Sequence, residues 1–375
     1  MDPRESLASE HGTPLIIIDH AKIRDNWETF RAQFPRIQPF YSIKANPEPE
    51  IVRTLFDLGA NFDVASGPEF QLLLNVIGND PDLGDFLSNH VIMANTIKSV
   101  ETLELVDPYN LLMTYDNPEE LKKIAEHCPH ARLVLRIVVP NKRSIVELSS
   151  KFGAMPKNAP NLIQEALDIG LPVEGLSYHV GSQCNNLENF TRAASLAANI
   201  FNRVEAKNLN CELKVLDIGG GYPAPYDANS LPVTTLATAL NPLLDKLFPP
   251  SVKIIAEPGR YMVATAATSV SKIIGKAVRK GLMFYYIDDG VYNTFSGKIY
   301  DHQTFTFHAF RDGSNLPSAV VGPTCDALDK ISLNESLPDL SVGERLYSEN
   351  VGAYTNCSAS TFNGFPLAKI VHINQ

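Results

Sequence analysis

Lys44 stands at the end of a short apolar run, Pro39-Phe40-Tyr41-Ser42-Ile43. An ammonium there is costly to desolvate without a partner or a chemical use. Such a lysine loses its proton easily and can attack a carbonyl to form a Schiff base. Taken alone, it reads equally as a surface lysine at a strand end. Reactive side chains close other apolar runs in the same way: Asp63, Arg136, His179, the glycines Gly219, Gly220 and Gly221, and Glu257-Pro258-Gly259-Arg260. An amine, acids, an imidazole, an arginine and bare backbone N–H groups together suit a phosphorylated aldehyde cofactor. The glycines would take its phosphate. Glu257 would hold a pyridine nitrogen protonated, making the ring an electron sink. A salt bridge from Glu257 to Arg260 and a core role for His179 are the structural alternatives.

These residues need a scaffold that gathers strand ends. Eight short apolar strands are predicted, at 40–43, 61–64, 91–94, 111–114, 133–138, 175–179, 214–218 and 253–256. Amphipathic helical runs lie between them, as at 119–127, 161–169, 190–206 and 234–248. This alternation predicts an α/β fold, a TIM-type (β/α)8 barrel whose site lies at the carboxyl ends of its strands. An open doubly wound sheet is the alternative. The fragment Gly219-Gly220-Gly221-Tyr222-Pro223-Ala224 also fits a dinucleotide-binding pattern, but Pro223 and Pro225 obstruct the helix that pattern requires. After Arg260 the runs 265–278, 283–287, 304–310, 319–322 and 343–348 predict a mainly β domain. The expected organisation is an N-terminal segment, 1–24, lending a strand to the β domain, then a cofactor-binding barrel, 25–265, then the β domain, 266–375. Residues 1–12 read as polar and frayed, and 140–156 as a mobile loop.

The chain has 375 residues, 44% hydrophobic and 20% charged, as in an ordinary globular protein. Its net charge of −10 disfavours a nucleic-acid partner and suits cationic small molecules. Five scattered cysteines without CxxC spacing predict reduced thiols, no metal site and a cytoplasmic location. No signal peptide or membrane span is expected.

Longer motifs make the pattern specific. Tyr-Ser-Ile-Lys-Ala-Asn at 41–46, Phe-Asp-Val-Ala-Ser at 62–66, His-Val-Gly-Ser at 179–182, Asp-Ile-Gly-Gly-Gly at 217–221 and Glu-Pro-Gly-Arg at 257–260 occur together. So do Asp-Asp-Gly-Val-Tyr at 288–292, Tyr-Asp-His at 300–302, Gly-Pro-Thr-Cys-Asp at 322–326, Glu-Asn-Val-Gly-Ala-Tyr at 349–354 and Ser-Thr-Phe-Asn-Gly-Phe at 360–365. From about residue 13 to 372 the chain resembles the pyridoxal-phosphate-dependent ornithine/diaminopimelate/arginine decarboxylase family, which has an alanine-racemase-like barrel followed by a β domain. Within it the ornithine decarboxylase branch is the most similar, because diaminopimelate enzymes carry Cys-Glu where this chain has Cys325-Asp326.

The resemblance implies pyridoxal 5′-phosphate held by Lys44 as a Schiff base, with Asp63 and Glu69 as acidic partners of the freed lysine. It implies that Glu257 lies at the ring nitrogen, Pro258 beside it contacts the cofactor, His179 stacks on the ring and Arg136 is near it. Ser182, Gly219, Gly220, Gly221, Gly259, Arg260 and Tyr354 would hold the phosphate. Cys325 would protonate the substrate carbanion at Cα. Asp301 and Asp326, flanked by Tyr300 and Phe362, would clamp the distal ammonium. A homodimer is implied, with Cys325 and Asp326 reaching the neighbouring subunit's site. The expected reaction is decarboxylation of L-ornithine to putrescine, with lysine, dual lysine/ornithine or arginine as rival substrates. An inactive binding homologue and an amino acid racemase are the other readings. Two departures stand out: Ala327 replaces a glycine common in ornithine enzymes, and the chain ends soon after Phe365, implying a form without a long regulatory tail.

Overall fold

The computed structural model describes residues 2–78, 80, 82–139 and 151–375. The first strand is β1 (Leu15–Asp19). Eight more follow: β2 (Ile37–Ser42), β3 (Asn61–Val64), β4 (Val91–Met93), β5 (Leu112–Tyr115), β6 (Arg132–Arg136), β7 (Val173–Ser177), β8 (Val215–Asp217) and β9 (Lys253–Ala256). From β2 onward each pairs parallel with the next, and β9 pairs with β2, closing an eight-stranded barrel. Strands buried on both faces must be apolar along their length, which is why they read as continuous runs rather than alternations. Phe40, Ile92, Leu112, Val134, Val215 and Ile255 pack as one buried cluster. Each such side chain contributes about 1.5–3 kcal/mol by leaving water.

Helix starts after the strands are written locally. Ser66, Ser99 and Asn117 each accept the backbone N–H three residues on, and a proline sits in the first turn of the helices Gly67–Ile77 and Pro118–His127. Glu69 reinforces the first of these caps by accepting the N–H of Ala65, the residue before the cap, at 2.7 Å. The start of each helix, and the loop before it, is thereby pinned close to a strand's carboxyl end.

The remaining strands are β10 (Ala267–Arg279), β11 (Leu282–Ile287), β12 (His308–Ala309), β13 (Asn315–Val321), β14 (Lys330–Pro338), β15 (Arg345–Glu349) and β16 (Lys369–Ile373). They form a mainly β sheet ordered β12-β15-β10-β11-β13-β14. β1 joins it, antiparallel to β10 with Leu15 opposite Val270, and parallel to β16. Contacts divide the chain into two compact units, 24–261 and 1–23 with 262–375.

Two expectations are corrected. Of the stretch read as frayed, the described residues 2–12 are ordered: Pro3–His11 is a helix, capped by the Asp2 carboxylate accepting the Arg4 N–H. It holds because Ala8 is buried with Leu15, Ile17 and Val270, while Arg4 lies 3.8 Å over the Tyr347 ring. Val270 and Tyr347 lie far along the chain and are not visible locally. The run 304–310 shrinks to the two-residue β12. Its alternation reflects Phe305 and Phe307 burying against Phe295, not a ladder. Of the loop expected over 140–156, residues 140–150 lie outside the described residues. The rest returns beside β6, where Ala154 N–H donates to Arg136 O at 2.8 Å. Among the described residues no helix is long and apolar enough to cross a membrane.

Candidate active site

β2 ends at Ser42, and the next three residues form a tight 3-10 turn carrying Lys44. Its Nζ pairs with Oδ2 of Asp63 on β3. Ser42 Oγ donates to the same Asp63 oxygen at 2.7 Å and to Glu257 O at 3.1 Å. This corrects the desolvation argument, because the Lys44 side chain is 38% exposed and has its counter-ion. Among the described residues, the deeply buried lysine of the barrel is Lys98. It donates to the carbonyls of Asn95, Thr96 and Thr114 at 2.6–3.2 Å and pairs with Glu120 at 3.2 Å. Burial pushes the Lys98 ammonium down to about 8. Its saturation with partners makes it a structural plug.

Below Lys44 lies a pair of buried carboxyls. Asp217 ends β8 and Glu257 follows β9; the two share a hydrogen bond, which requires one to hold a proton. Asp217 also accepts Ser177 Oγ at 2.7 Å and the Gly219 N–H at 2.8 Å. Burial, then the charges of Asp217 and Asp63, raise Glu257 well above the ordinary carboxylate range, with Lys44 opposing. Glu257 Oε1 and Asp63 Oδ1 are buried with no hydrogen-bond partner among the described residues. Glu69 is raised by burial and, less, by Asp63; the Ala65 N–H and Lys44 oppose the shift.

His179 Nδ1 accepts the Gly181 N–H at 3.0 Å, which leaves the ring proton on Nε2. Burial, then the charges of Arg136 and Lys44, push its imidazole far below the usual value, so it is neutral. Arg136, the last residue of β6, lies 5.2 Å over Phe152. Beyond His179 the glycine run opens a cradle. Gly221 has φ +100°, and a Cβ there would stand 2.3 Å from Gly181 O, so only glycine fits. Arg260 closes the cradle, donating to Ser182 Oγ at 2.9 Å and Tyr226 OH at 3.0 Å.

The second group of predicted residues lies in the β unit. Asp326 accepts the Leu328 N–H at 2.9 Å and the Tyr292 hydroxyl, and these hold its carboxyl below the usual range. Tyr292 stacks on Phe362 with centroids 4.4 Å apart. Cys325 is exposed, its N–H donating to Asn363 Oδ1 at 3.1 Å. Tyr300 is exposed and Asp301 buried at the end of the short helix Gly297–Tyr300. Tyr354 adopts φ +55°. Asp329 organises the loop bearing Cys325 and Asp326. It accepts the Val291 N–H at 2.9 Å, and the Thr324 N–H and hydroxyl at 3.0 and 2.7 Å. Gly322 packs so tightly on this carboxylate that a Cβ would come within 2.1 Å. Asp329→Ala is expected to cost about 3 kcal/mol through the stranded donors, read as a lowered urea midpoint at unchanged slope.

Sequence reasoning passed over Asp217, Ser42, Ser177, Tyr226 and Asp329 as individual site residues. A serine as the last residue of a barrel strand, as at Ser42 and Ser177, was the available signal. Asp217, one strand end from Glu257, stood inside a motif already noted.

Residues 20–264 match the family described as pyridoxal-dependent decarboxylase, pyridoxal binding domain. The chain belongs to the pyridoxal-dependent decarboxylases. It is 38% identical to a lysine/ornithine decarboxylase of Selenomonas ruminantium, over 98% of this chain and 91% of that one. It is 37% identical to the ornithine decarboxylase of Rattus norvegicus, over 90% of this chain and 76% of that one. The crystal structure of the Paramecium bursaria Chlorella virus arginine decarboxylase bound to agmatine superposes with a TM-score of 0.91 at 30% identity, covering 99% of both chains. The decarboxylase is therefore an enzyme of basic amino acids on an alanine-racemase-like fold, with pyridoxal 5′-phosphate as its cofactor. The decarboxylase's site fits that group chemically. Glu257 Oε1 is a buried acceptor without a donor, the glycine cradle is open to a phosphate, and the Lys44 amine lies within reach of Asp63.

Proposed function

We propose that this decarboxylase converts L-ornithine to putrescine and CO2, with L-lysine as a slower second substrate giving cadaverine. The observation that carries the reading is the fixed, ionised carboxylate of Asp326 beside Cys325. A short acid held in one orientation is suited to a compact terminal ammonium, and a guanidinium would call for a longer reach.

Lys44 holds the cofactor through Nζ, and Asp63 and Glu69 take the charge of the amine when substrate displaces it. When bound, the cofactor would supply an electron sink for the pair left behind as CO2 departs. Glu257 keeps a proton at the ring nitrogen, and Asp217, anchored by Ser177 and the Gly219 N–H, orients Glu257. His179, neutral and oriented by the Gly181 N–H, covers the ring. Arg136 supplies positive potential beside it. Arg260, Ser182, Gly259, Tyr354 and the N–H groups of Gly220 and Gly221 bind the phosphate, while the Gly219 N–H, expected to join them, is committed to Asp217 at 2.8 Å. Cys325 delivers the proton to Cα. Asp301 and Asp326 receive the distal ammonium, with Tyr300 and Phe362 lining its approach.

Purified protein loaded with pyridoxal phosphate, incubated separately with ornithine, lysine, arginine and diaminopimelate, is expected to yield putrescine as the main product by mass spectrometry. Cadaverine should follow, with kcat/KM within about 200-fold, the reach of one methylene. Agmatine as the main product would overturn the pocket reading.

The proposed oligomer is a two-fold dimer in which Cys325 and Asp326 of each subunit complete the site of the other. Mixing inactive Lys44→Ala and Cys325→Ala proteins is then expected to restore about a quarter of wild-type activity after subunit exchange, since half the dimers carry one intact site. Zero recovery, with exchange shown by mass spectrometry, would rule the arrangement out.

A further inference from the structure

Opposite the carboxyl ends of the strands, the barrel opens into a second cavity of about 380 Å³. Its walls come from the first residues of five strands, Val91, Leu112, Arg132, Val215 and Lys253, which the closed register brings to one rim. The floor is apolar, with the buried side chains of Phe40, Leu112 and Val215. The rim is cationic. Arg132 Nε and Lys214 Nζ lie 3.2 and 3.7 Å from the same oxygen of Glu174, the one carboxylate among the lining residues. Lys253 Nζ lies 3.4 Å from Asn89 O and 5.5 Å from the Phe40 ring centroid. Burial and then the Arg132 charge push its ammonium down, with Glu174 opposing. Three cations therefore face one acid, on a chain whose net charge is −10.

We propose that the amino-terminal mouth of the barrel is a binding site for a small polyvalent phosphate, separate from the cofactor site and held by Arg132, Lys214 and Lys253. A diphosphate would take up the two charges that Glu174 leaves uncompensated, with the two ammoniums as its donors and Arg132, whose Nη1 stays on Ser88 O and Oγ at 3.0 Å, adding positive charge. The apolar floor leaves room for a planar group attached to that head. Free inorganic diphosphate and a nucleoside diphosphate share this chemistry.

The test is isothermal titration of the cofactor-loaded enzyme, whose glycine cradle is already filled, with inorganic pyrophosphate and separately with ADP. Saturable binding with Kd below about 1 mM is expected, weakening steeply with added salt. The double variant Lys214→Gln/Lys253→Gln should weaken it about tenfold or more, with decarboxylation unchanged. Glu174→Gln removes the competing acid and should tighten binding severalfold, an effect that misfolding would not imitate. Tighter binding of ADP than of pyrophosphate would assign the apolar floor to the base, and equal binding would assign recognition to the diphosphate alone. Absence of saturable binding by the wild-type enzyme, or equal affinity in the double variant, would overturn the proposal.

Discussion

Lys44→Ala is expected to lower kcat on ornithine and lysine by on the order of 10³-fold or more, the scale of losing a nucleophile and its proton-handling role together. The fold should survive. The Lys44 side chain is 38% exposed, and Asp63 keeps the Ser42 hydroxyl at 2.7 Å after the amine is removed. What changes is electrostatic. Lys44 is the cation that opposes the upward shifts of Glu257 and Glu69. Without it the acidic cluster of Asp63, Glu69, Asp217 and Glu257 holds protons to higher pH, which works against the cofactor as well as the chemistry. Two measurements check this. Steady-state kinetics should show the loss in kcat. Borohydride reduction of the wild-type enzyme should leave the cofactor mass on the peptide containing Lys44 and on no other. Retained activity in Lys44→Ala, or label on a different lysine, would remove the residue from its assigned role.

Glu257→Gln should cost about 10²–10³-fold in kcat while making the cofactor-free protein more stable at alkaline pH, a separation of function from stability. Glu257 is buried, and its carboxyl is raised above its ordinary value near 4.5 by burial, Asp217 and Asp63. The folded state therefore holds a proton that the unfolded chain releases. The stabilisation linked to that proton is fully present below about 4.5 and is lost as pH rises through the folded value. An amide at position 257 donates to Asp217 at every pH and needs no shared proton. The thermal midpoint of the cofactor-free variant is thus expected to exceed wild type by about 2–4 °C at pH 8, with the difference vanishing toward pH 4. A pH-independent difference would show that the two carboxyls do not share a proton.

The barrel was legible because its physics is local. Strands buried on both faces must be apolar throughout, so the runs ending near Ser42, Val64, Arg136, Ser177, Asp217 and Ala256 stand out, and the reactive residues just beyond them mark one end of the barrel. The β-rich runs after Arg260 likewise announced a β unit, except at 304–310, where Phe305 and Phe307 pack on Phe295 and only His308–Ala309 form a strand. Helix caps at Ser66, Ser99 and Asn117 could be read in place because donor and acceptor lie within one turn.

Other features were decided only by packing. A lysine at a strand end carries no mark of its burial. Lys44 proved partly exposed with a counter-ion, while the desolvated ammonium is Lys98, surrounded by three carbonyls that no motif announces. The helix Pro3–His11 is too short to stand alone and exists because Ala8 and Arg4 find partners hundreds of residues away. The Ser42 bridge to Glu257 arises from the closing of β9 onto β2, while the Asp217–Glu257 pair and the Lys214–Lys253 edge of the cationic rim arise from β8 pairing with β9. Sequence by itself determined which chemical groups lie at strand ends, since burial on both faces constrains every residue before them. Only the closed register decided which of those groups touch, because hydrogen-bond ladders between distant strands set those distances and leave no periodicity behind.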